Sequence, residues 1–167
     1  MTQNPYTIGD LIDLSIALEN ATEALYRGMQ ASFFREPEVA QFWQSYADEE
    51  AGHARWLEKL KDRVSDKLAN RLDHPHLVDA ARNLLKVTPQ EYLNQINNLD
   101  EGYRLAVEIE NSETNAIFEF LILNYSLTAQ AANFLQAQLH THVKRLIEHF
   151  PVKYRNPIKR LSVRAGG

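Results

Sequence analysis

The stretch Asp48-Glu49-Glu50-Ala51-Gly52-His53 lies inside a long run of helix-forming residues. Side chains three positions apart share one face of a helix, so Glu50 and His53 project side by side. The same face carries Trp43 and Leu57, which indicates that it is the buried face. Because a buried carboxylate without a partner is costly, this pair requires a salt bridge, a hydrogen-bond network or a metal ion.

The composition limits the classes of protein to which the chain can belong. Its 167 residues, 44% hydrophobic and 24% charged, are enough for one domain with a sizeable core. The absence of cysteine excludes disulfides and iron–sulfur centres and leaves oxygen and nitrogen ligands for any metal, which iron, manganese and zinc accept. The first residues do not follow a signal-peptide pattern, and no stretch reaches membrane-spanning length. We therefore expect a cytoplasmic protein with no membrane partner.

Charge is distributed unevenly along the chain. The net charge is −4, yet residues 151–167 carry five basic side chains and no acidic one. The preceding part of the chain is therefore more acidic than the total, which argues against nucleic acid as its partner. We predict a helical bundle over residues 1–150 and a basic, irregular tail over residues 151–167.

Helical periodicity, together with start and stop signals, predicts four long helices. The first two, over about residues 8–34 and 37–68, are joined by a short turn and should form an antiparallel hairpin. Short helices from residue 70 to residue 99 predict a long crossover, after which a third helix over 100–125 would run parallel to the second. A fourth helix over 128–150 completes an all-α four-helix bundle.

Each predicted helix carries polar side chains on its inward face. Glu19 lies on the seam of the first helix, with Tyr26 two turns further on, and His142 lies within the apolar stripe of the fourth helix. The whole inward polar set is Glu19, Glu50, His53, Glu110, Glu113 and His142. Four carboxylates and two imidazoles are a complete ligand set for two divalent ions, and the imidazoles favour iron over magnesium or calcium.

These residues also have simpler structural interpretations. Glu50 and His53 could form a core salt bridge without any metal. One of the two acids Glu110 and Glu113 would face solvent after a small rotation of the third helix. His142 could be a core histidine that is satisfied by hydrogen bonds.

In this arrangement the chain resembles the ferritin-like superfamily and, within it, the rubrerythrin-like di-iron carboxylate proteins. The matching residues are Glu19 and Tyr26 on the first helix, Glu50-x-x-His53 on the second and Glu110-x-x-Glu113 on the third. The resemblance implies a ferritin-like bundle that binds two iron ions, with manganese or zinc as alternatives. It also implies the reduction of peroxide or oxygen, an external electron donor and a homo-oligomer, either a dimer or larger.

The resemblance further implies a role for each site residue. Glu19 and His142 would be terminal ligands, Glu50 and Glu110 would bridge the ions, and His53 and Glu113 would complete the two sites. Tyr26 would be the catalytic residue, either hydrogen-bonded to a ligand or near the oxygen-binding edge. On the simpler interpretation, Tyr26 is a core aromatic whose hydroxyl bonds a neighbour.

The predicted fourth helix departs from the family pattern. The family normally has a second Glu-x-x-His there, but Leu139 stands three positions before His142, so one bridging carboxylate is missing. Two other functions therefore stay open. The chain could be a ferroxidase or iron-storage subunit, or a non-catalytic helical interaction or sensor module.

Overall fold

Helices account for nearly all regular structure in the chain. The structure, a computed structural model, describes residues 6–72 and 74–166. Its α-helices are α1 (Ile8–Ser32), α2 (Pro37–Arg63), α3 (Asp66–Ala69), α4 (Pro75–Leu84), α5 (Pro89–Asn94), α6 (Leu99–Glu110), α7 (Glu113–Tyr125), α8 (Ala129–Glu148) and α9 (Pro157–Ser162). The described ranges contain two isolated β-bridges but no strand, which confirms the all-α prediction.

The first two helices form the predicted antiparallel hairpin. Lys61, late in α2, contacts Asp13, early in α1, with Nζ and Oδ1 2.6 Å apart. Earlier in α2, Asp48 contacts Arg27, which lies late in α1, at 2.7 Å. The contacts therefore run in opposite directions along the two helices. At the start of α1, the hydroxyl of Thr7 accepts a hydrogen bond from the backbone N–H of Asp10, in a capping box that fixes where the helix begins.

The crossover consists of the three short helices α3, α4 and α5, in agreement with the predicted segment of short helices. Thr88 caps α5 and exchanges hydrogen bonds with Glu91, so the local sequence alone determines where this helix begins. The helix α5 packs on α1 at Gly28. A Cβ atom at that position would lie only 2.2 Å from a methyl carbon of Leu93.

The third long segment is interrupted, so the prediction of one continuous helix is wrong. The helix α6 ends at Glu110, and α7 begins at Glu113 with Ser112 as its N-cap, whose hydroxyl accepts a hydrogen bond from the backbone N–H of Thr114. The side-chain amide of Asn115 donates to the backbone carbonyl of Glu110 at 2.8 Å. The interruption changes the rotational phase of the residues that follow it. Thr114 is therefore buried, and Glu113 is exposed.

The predicted stripe of the fourth long helix is buried. Its members Leu135, Leu139, His142 and Leu146 lie on α8, and Phe150 lies two residues beyond the end of this helix. The segment after it differs from the predicted irregular tail, because it contains a 3-10 turn and α9. Arg160 contacts the buried carboxylate of Asp100 at 3.1 Å and holds α9 against α6. The basic side chain therefore neutralises an acid of the bundle.

A layer of buried polar side chains separates two apolar clusters in the core. The first cluster is rich in aromatic residues and includes Tyr26, Trp43 and Phe150. The second cluster includes Leu57 and Phe118. The first cluster contains buried side chains from residues 39–47 of α2 and 99–106 of α6. The second contains buried side chains from the later part of α2 and from α7. The third segment thus runs parallel to α2, as the crossover predicts. Within the part of the chain that the structure describes, no helix is long and apolar enough to cross a membrane.

Candidate metal centre

Five chemically reactive side chains are buried together in the polar layer. Each is at most 5% exposed, and the five are Glu19, Glu50, His53, Glu110 and His142. They form two groups of three, namely Glu19, Glu50 and His53, and Glu50, Glu110 and His142. In each group, one ligand atom from every residue lies within 4.8 Å of the others. Glu50 belongs to both groups, so the two candidate ion positions share a carboxylate.

The first group contains polar atoms without hydrogen-bond partners. His53 Nδ1 lies 3.0 Å from Glu50 Oε2 and 3.5 Å from Glu19 Oε2. Both carboxylate oxygens of Glu19 and Nε2 of His53 are buried and form no hydrogen bond within the described ranges. A buried carboxylate without hydrogen bonds is costly, and a cation among these oxygen and nitrogen atoms removes that cost. The first group therefore fits a divalent transition metal.

In the second group, both ring nitrogens of His142 face carboxylates. Its Nδ1 lies 2.7 Å from Glu110 Oε2 and 3.9 Å from Glu50 Oε1. Its Nε2 lies 2.8 Å from Glu49 Oε2, and Glu49 is also paired with Arg145. This geometry leaves Nδ1 for a metal and makes Nε2–H a donor to Glu49. A carboxylate behind a metal-binding histidine is a common arrangement that fixes the orientation of the ring.

Glu49 is a site residue that the sequence analysis missed. It lies next to Glu50 but on another side of α2, and its carboxylate is 18% exposed. The one available signal is Arg145, which follows His142 by three positions and so shares its face of α8. A basic residue beside a buried histidine predicts that an acid from another helix approaches both.

Without a metal, protons supply the positive charge of the cluster. Burial lowers the pKa of His53, but the neighbouring carboxylates of Glu19 and Glu50 outweigh burial and raise the pKa to about 10. Burial likewise lowers the pKa of His142, but the carboxylates of Glu110 and Glu49 outweigh the effect of burial and raise this pKa to about 10. The pKa values of the two acids Glu50 and Glu110 are shifted in opposite directions. Burial and the nearby charge of Glu19 raise the pKa of Glu50. The pKa of Glu110 is lowered, since its bond to His142 overcomes the effect of burial.

Aromatic side chains enclose the second group. The hydroxyl of Tyr26 donates to Glu110 Oε1 at 2.5 Å, and its ring is stacked on Trp43 with the centroids 5.9 Å apart. The hydroxyl of Tyr46 donates to the backbone carbonyl of His142 at 2.7 Å. Burial and the charge of Glu110 raise the pKa of Tyr26 well above its ordinary value, so this phenol stays protonated. Its structural role is clear, and its catalytic role stays a prediction.

The model of the rubrerythrin family matches residues 10–134 of the chain. The chain belongs to the rubrerythrin family. The expected ferritin-like bundle is thereby confirmed. Comparisons with curated proteins and with solved structures gave no significant match. The region that matches the rubrerythrin family includes Glu19, Glu50, His53 and Glu110, but it ends within α8 before His142 is reached.

One residue of the predicted ligand set lies outside the observed centre. Glu113 was expected to point inward, but it is exposed in the first turn of α7 and lies in neither group. Leu139 is buried in the second apolar cluster, at the position where a second family Glu-x-x-His would have its acid. The other histidine near this level of α8, His140, is exposed and paired with Glu119. This rubrerythrin-family chain thus brings together three buried carboxylates and two imidazoles, and their assignment as ligands stays a prediction.

Proposed function

We propose that this member of the rubrerythrin family is a di-metal oxidoreductase, with iron as its native metal, that reduces peroxide or oxygen. The observation that supports the proposal most strongly is the sharing of buried Glu50 by two three-residue groups. A core salt bridge needs one acid and one base. Two overlapping groups, one of which contains a carboxylate that forms no hydrogen bond within the described part of the chain, are better accounted for by two cations.

The residues divide naturally between the two ions. Glu19 and His53 would hold one ion, Glu110 and His142 would hold the other, and Glu50 would bridge them. Manganese and zinc suit the same oxygen and nitrogen atoms. Two ferrous ions held here would supply, on oxidation to the ferric state, the two electrons that, together with two protons, convert hydrogen peroxide to two water molecules. The three carboxylates leave part of the charge of two divalent ions uncompensated, which favours the binding of anionic oxygen species.

The protein contributes the positions of the ligands, their enclosure and a hydrogen-bond donor to one of them. The Tyr26 hydroxyl holds its proton against Glu110 Oε1 and so fixes that carboxylate. Glu49 fixes the ring of His142, and the packed rings of Trp43 and Tyr46 restrict the access of water from that side. We further propose an external electron donor, because these 167 residues contain no cysteine for an iron–sulfur relay. A homo-oligomer and a cytoplasmic location are also part of the proposal.

The test is metal analysis of protein purified from iron-supplemented cells. About two equivalents of iron per chain are expected, and fewer than about one equivalent of any transition metal would exclude the enzyme. Glu50→Ala should remove both ions, because both groups share this residue, whereas Glu58→Ala on the exposed face of α2 should remove neither. Equal losses in the two variants would contradict the ligand assignment.

Two further measurements separate the other functions. The iron-loaded, reduced protein should consume hydrogen peroxide, while a sensor or interaction module would bind metal without turnover. Light scattering gives the size of the particle. A storage protein must form a large hollow shell, so a dimer would exclude storage.

A further inference from the structure

Two adjoining depressions lie between the crossover helices and the third long segment. The outer one has a volume of about 220 Å³, and the inner one has a volume of about 90 Å³. They share the lining residues Tyr92, Leu105 and Glu108. A volume of about 90 Å³ accommodates a few water molecules or a hydrated ion, but not a large organic substrate.

The inner depression reaches the level of the polar layer. One of its lining residues is Thr22, which lies one helical turn beyond Glu19 on the same face of α1. Another is Thr114, four positions after Glu110 and across the helix interruption. Both threonines are buried, at 9% and 7% exposure. Thr22 therefore places the inner end one helical turn from Glu19, an acid of the metal centre.

The helix interruption itself shapes this depression. Ile109, Ser112 and Thr114 line it, and they lie on both sides of the point where α6 ends and α7 begins. A continuous helix would bring the long side chain of Glu113 inward, as the sequence periodicity predicts. With the interruption, the shorter side chain of Thr114 takes the inward position.

The lining becomes more suitable for cations toward the inside. The outer depression carries the carboxylates of Glu101 and Glu108 and one basic side chain, Arg104. Arg104 is engaged with the buried Asp100, with Nε and Oδ2 2.8 Å apart, and it shares this carboxylate with Arg160. The two carboxylates of the outer depression therefore outnumber its one basic side chain. Further in, the hydroxyl oxygens of threonine and serine side chains join the carboxylate of Glu108, which lines both depressions. Oxygen atoms are the groups that replace water around a hard divalent cation.

We propose that the two depressions form the entry route by which divalent cations reach the metal centre. In this route, Glu108 attracts the ion at the surface. The hydroxyls of Thr22 and Thr114 then replace part of its hydration shell. The ion arrives at the carboxylate oxygens of Glu19, which have no hydrogen-bond partner among residues 6–72 and 74–166. The inference rests on the proposed function, because it takes the two groups as the destination of the ion.

The first experiment measures the rate of Co²⁺ uptake by the metal-free protein, followed by the visible absorption of bound cobalt after rapid mixing. Leu105→Trp places a large ring at the junction of the two depressions and should slow uptake by about tenfold, because a close-packed side chain leaves no passage. The final amount of bound Co²⁺ should stay unchanged. Leu123→Trp, the same substitution at an exposed position of α7, should leave the rate unchanged.

The second experiment changes charge without adding volume, so it stays informative if Leu105→Trp fails to fold. Glu108→Gln should slow Co²⁺ uptake several-fold at low ionic strength, and the difference should diminish as salt is added. Glu58→Gln removes the same charge from an exposed position of α2 and should have no such effect.

The outcomes distinguish the two proposals. If the unaltered protein binds no Co²⁺, the proposed metal centre is wrong. If it binds Co²⁺ and the Leu105→Trp and Glu108→Gln variants load at the same rate as their controls, the metal centre stands and the entry route is wrong.

Discussion

Replacing Glu49 should weaken the binding of one metal ion and leave the other largely unaffected. Glu49 Oε2 lies 2.8 Å from Nε2 of His142, whose Nδ1 faces Glu110 and Glu50. Glutamine at this position keeps an oxygen that can accept from Nε2–H but loses the negative charge. Leucine removes the acceptor as well and leaves a buried N–H without a partner.

The magnitude follows from the hydrogen bond that is lost. Loss of the partner behind a metal-binding histidine typically reduces affinity by about 10–100-fold. That range corresponds to about 1.4–2.8 kcal/mol, and it agrees with the ~1–3 kcal/mol cost of an unsatisfied buried donor. Glu49→Gln should therefore lie near the lower end and Glu49→Leu near the upper end.

Calorimetric titration of the metal-free protein with Co²⁺ measures both binding steps. Asp48→Asn is the matched control, because it removes one negative charge from the adjacent position, where the side chain is 59% exposed and paired with Arg27. Three results would refute the reasoning: equal weakening of both steps, equal effects of the Gln and Leu variants, or an Asp48→Asn effect as large as that of Glu49→Gln.

Three other predictions concern pH, the mispredicted acid and two glycines. In the metal-free protein, folding raises the pKa of His53 and His142 from 6.5 to about 10. Their stabilising contribution is therefore complete below pH 6.5 and lost as the pH rises to about 10, so the urea midpoint should fall across that interval. For the same reason, loading both positions with Co²⁺ at pH 8 should release about two protons, detectable with an indicator dye. Glu113→Ala should leave the Co²⁺ stoichiometry unchanged, because the side chain is exposed. If this variant bound one equivalent of Co²⁺ less, Glu113 would be a ligand after all. Gly52→Ala should increase the free energy of unfolding by about 0.5–1 kcal/mol, because alanine loses less backbone entropy than glycine when a helix forms. The new Cβ has room, since it meets one guanidinium nitrogen at 3.8 Å. Gly28→Ala should decrease the free energy of unfolding by about 1–3 kcal/mol, because the new Cβ would overlap the side chain of Leu93. Chemical denaturation measures both free energies, and a change of the same sign in the two variants would contradict the prediction.

The sequence predicts the polar layer well because the layer is encoded locally. Glu19, Glu50, His53 and His142 each interrupt an apolar stripe at helical spacing, so each must be buried if its helix packs by that stripe. Their meeting at one level follows from the hairpin and the crossover. These two features can be read from Pro37 and from the short helices between the second and third long segments.

The features that the sequence does not predict depend on competing local interactions or on contacts between residues far apart in the chain. The inward positions of the third segment keep their helical spacing across residues 111 and 112, from Ala106 and Glu110 to Glu113 and Ile117, and periodicity therefore favours one helix. The capping hydroxyl of Ser112 and the amide of Asn115 favour an interruption instead, and tertiary packing decides between them. The partners of Glu49 on α8 and of Asp100 on α9 are far along the chain. Arg145 beside His142 indicates that some acid approaches, but no local pattern identifies Glu49 as that acid or Arg160 as the partner of Asp100.

The position of Glu50 has a consequence for how the centre fills. The same carboxylate contacts the histidine of each group, with 3.0 Å to His53 and 3.9 Å to His142. An ion that binds in either half draws on this carboxylate and displaces a proton from its own histidine, so the other half is altered before its ion arrives. Occupancy of the two halves is thus thermodynamically linked, and the protein should have two unequal stepwise affinities although each half contains the same kinds of ligand.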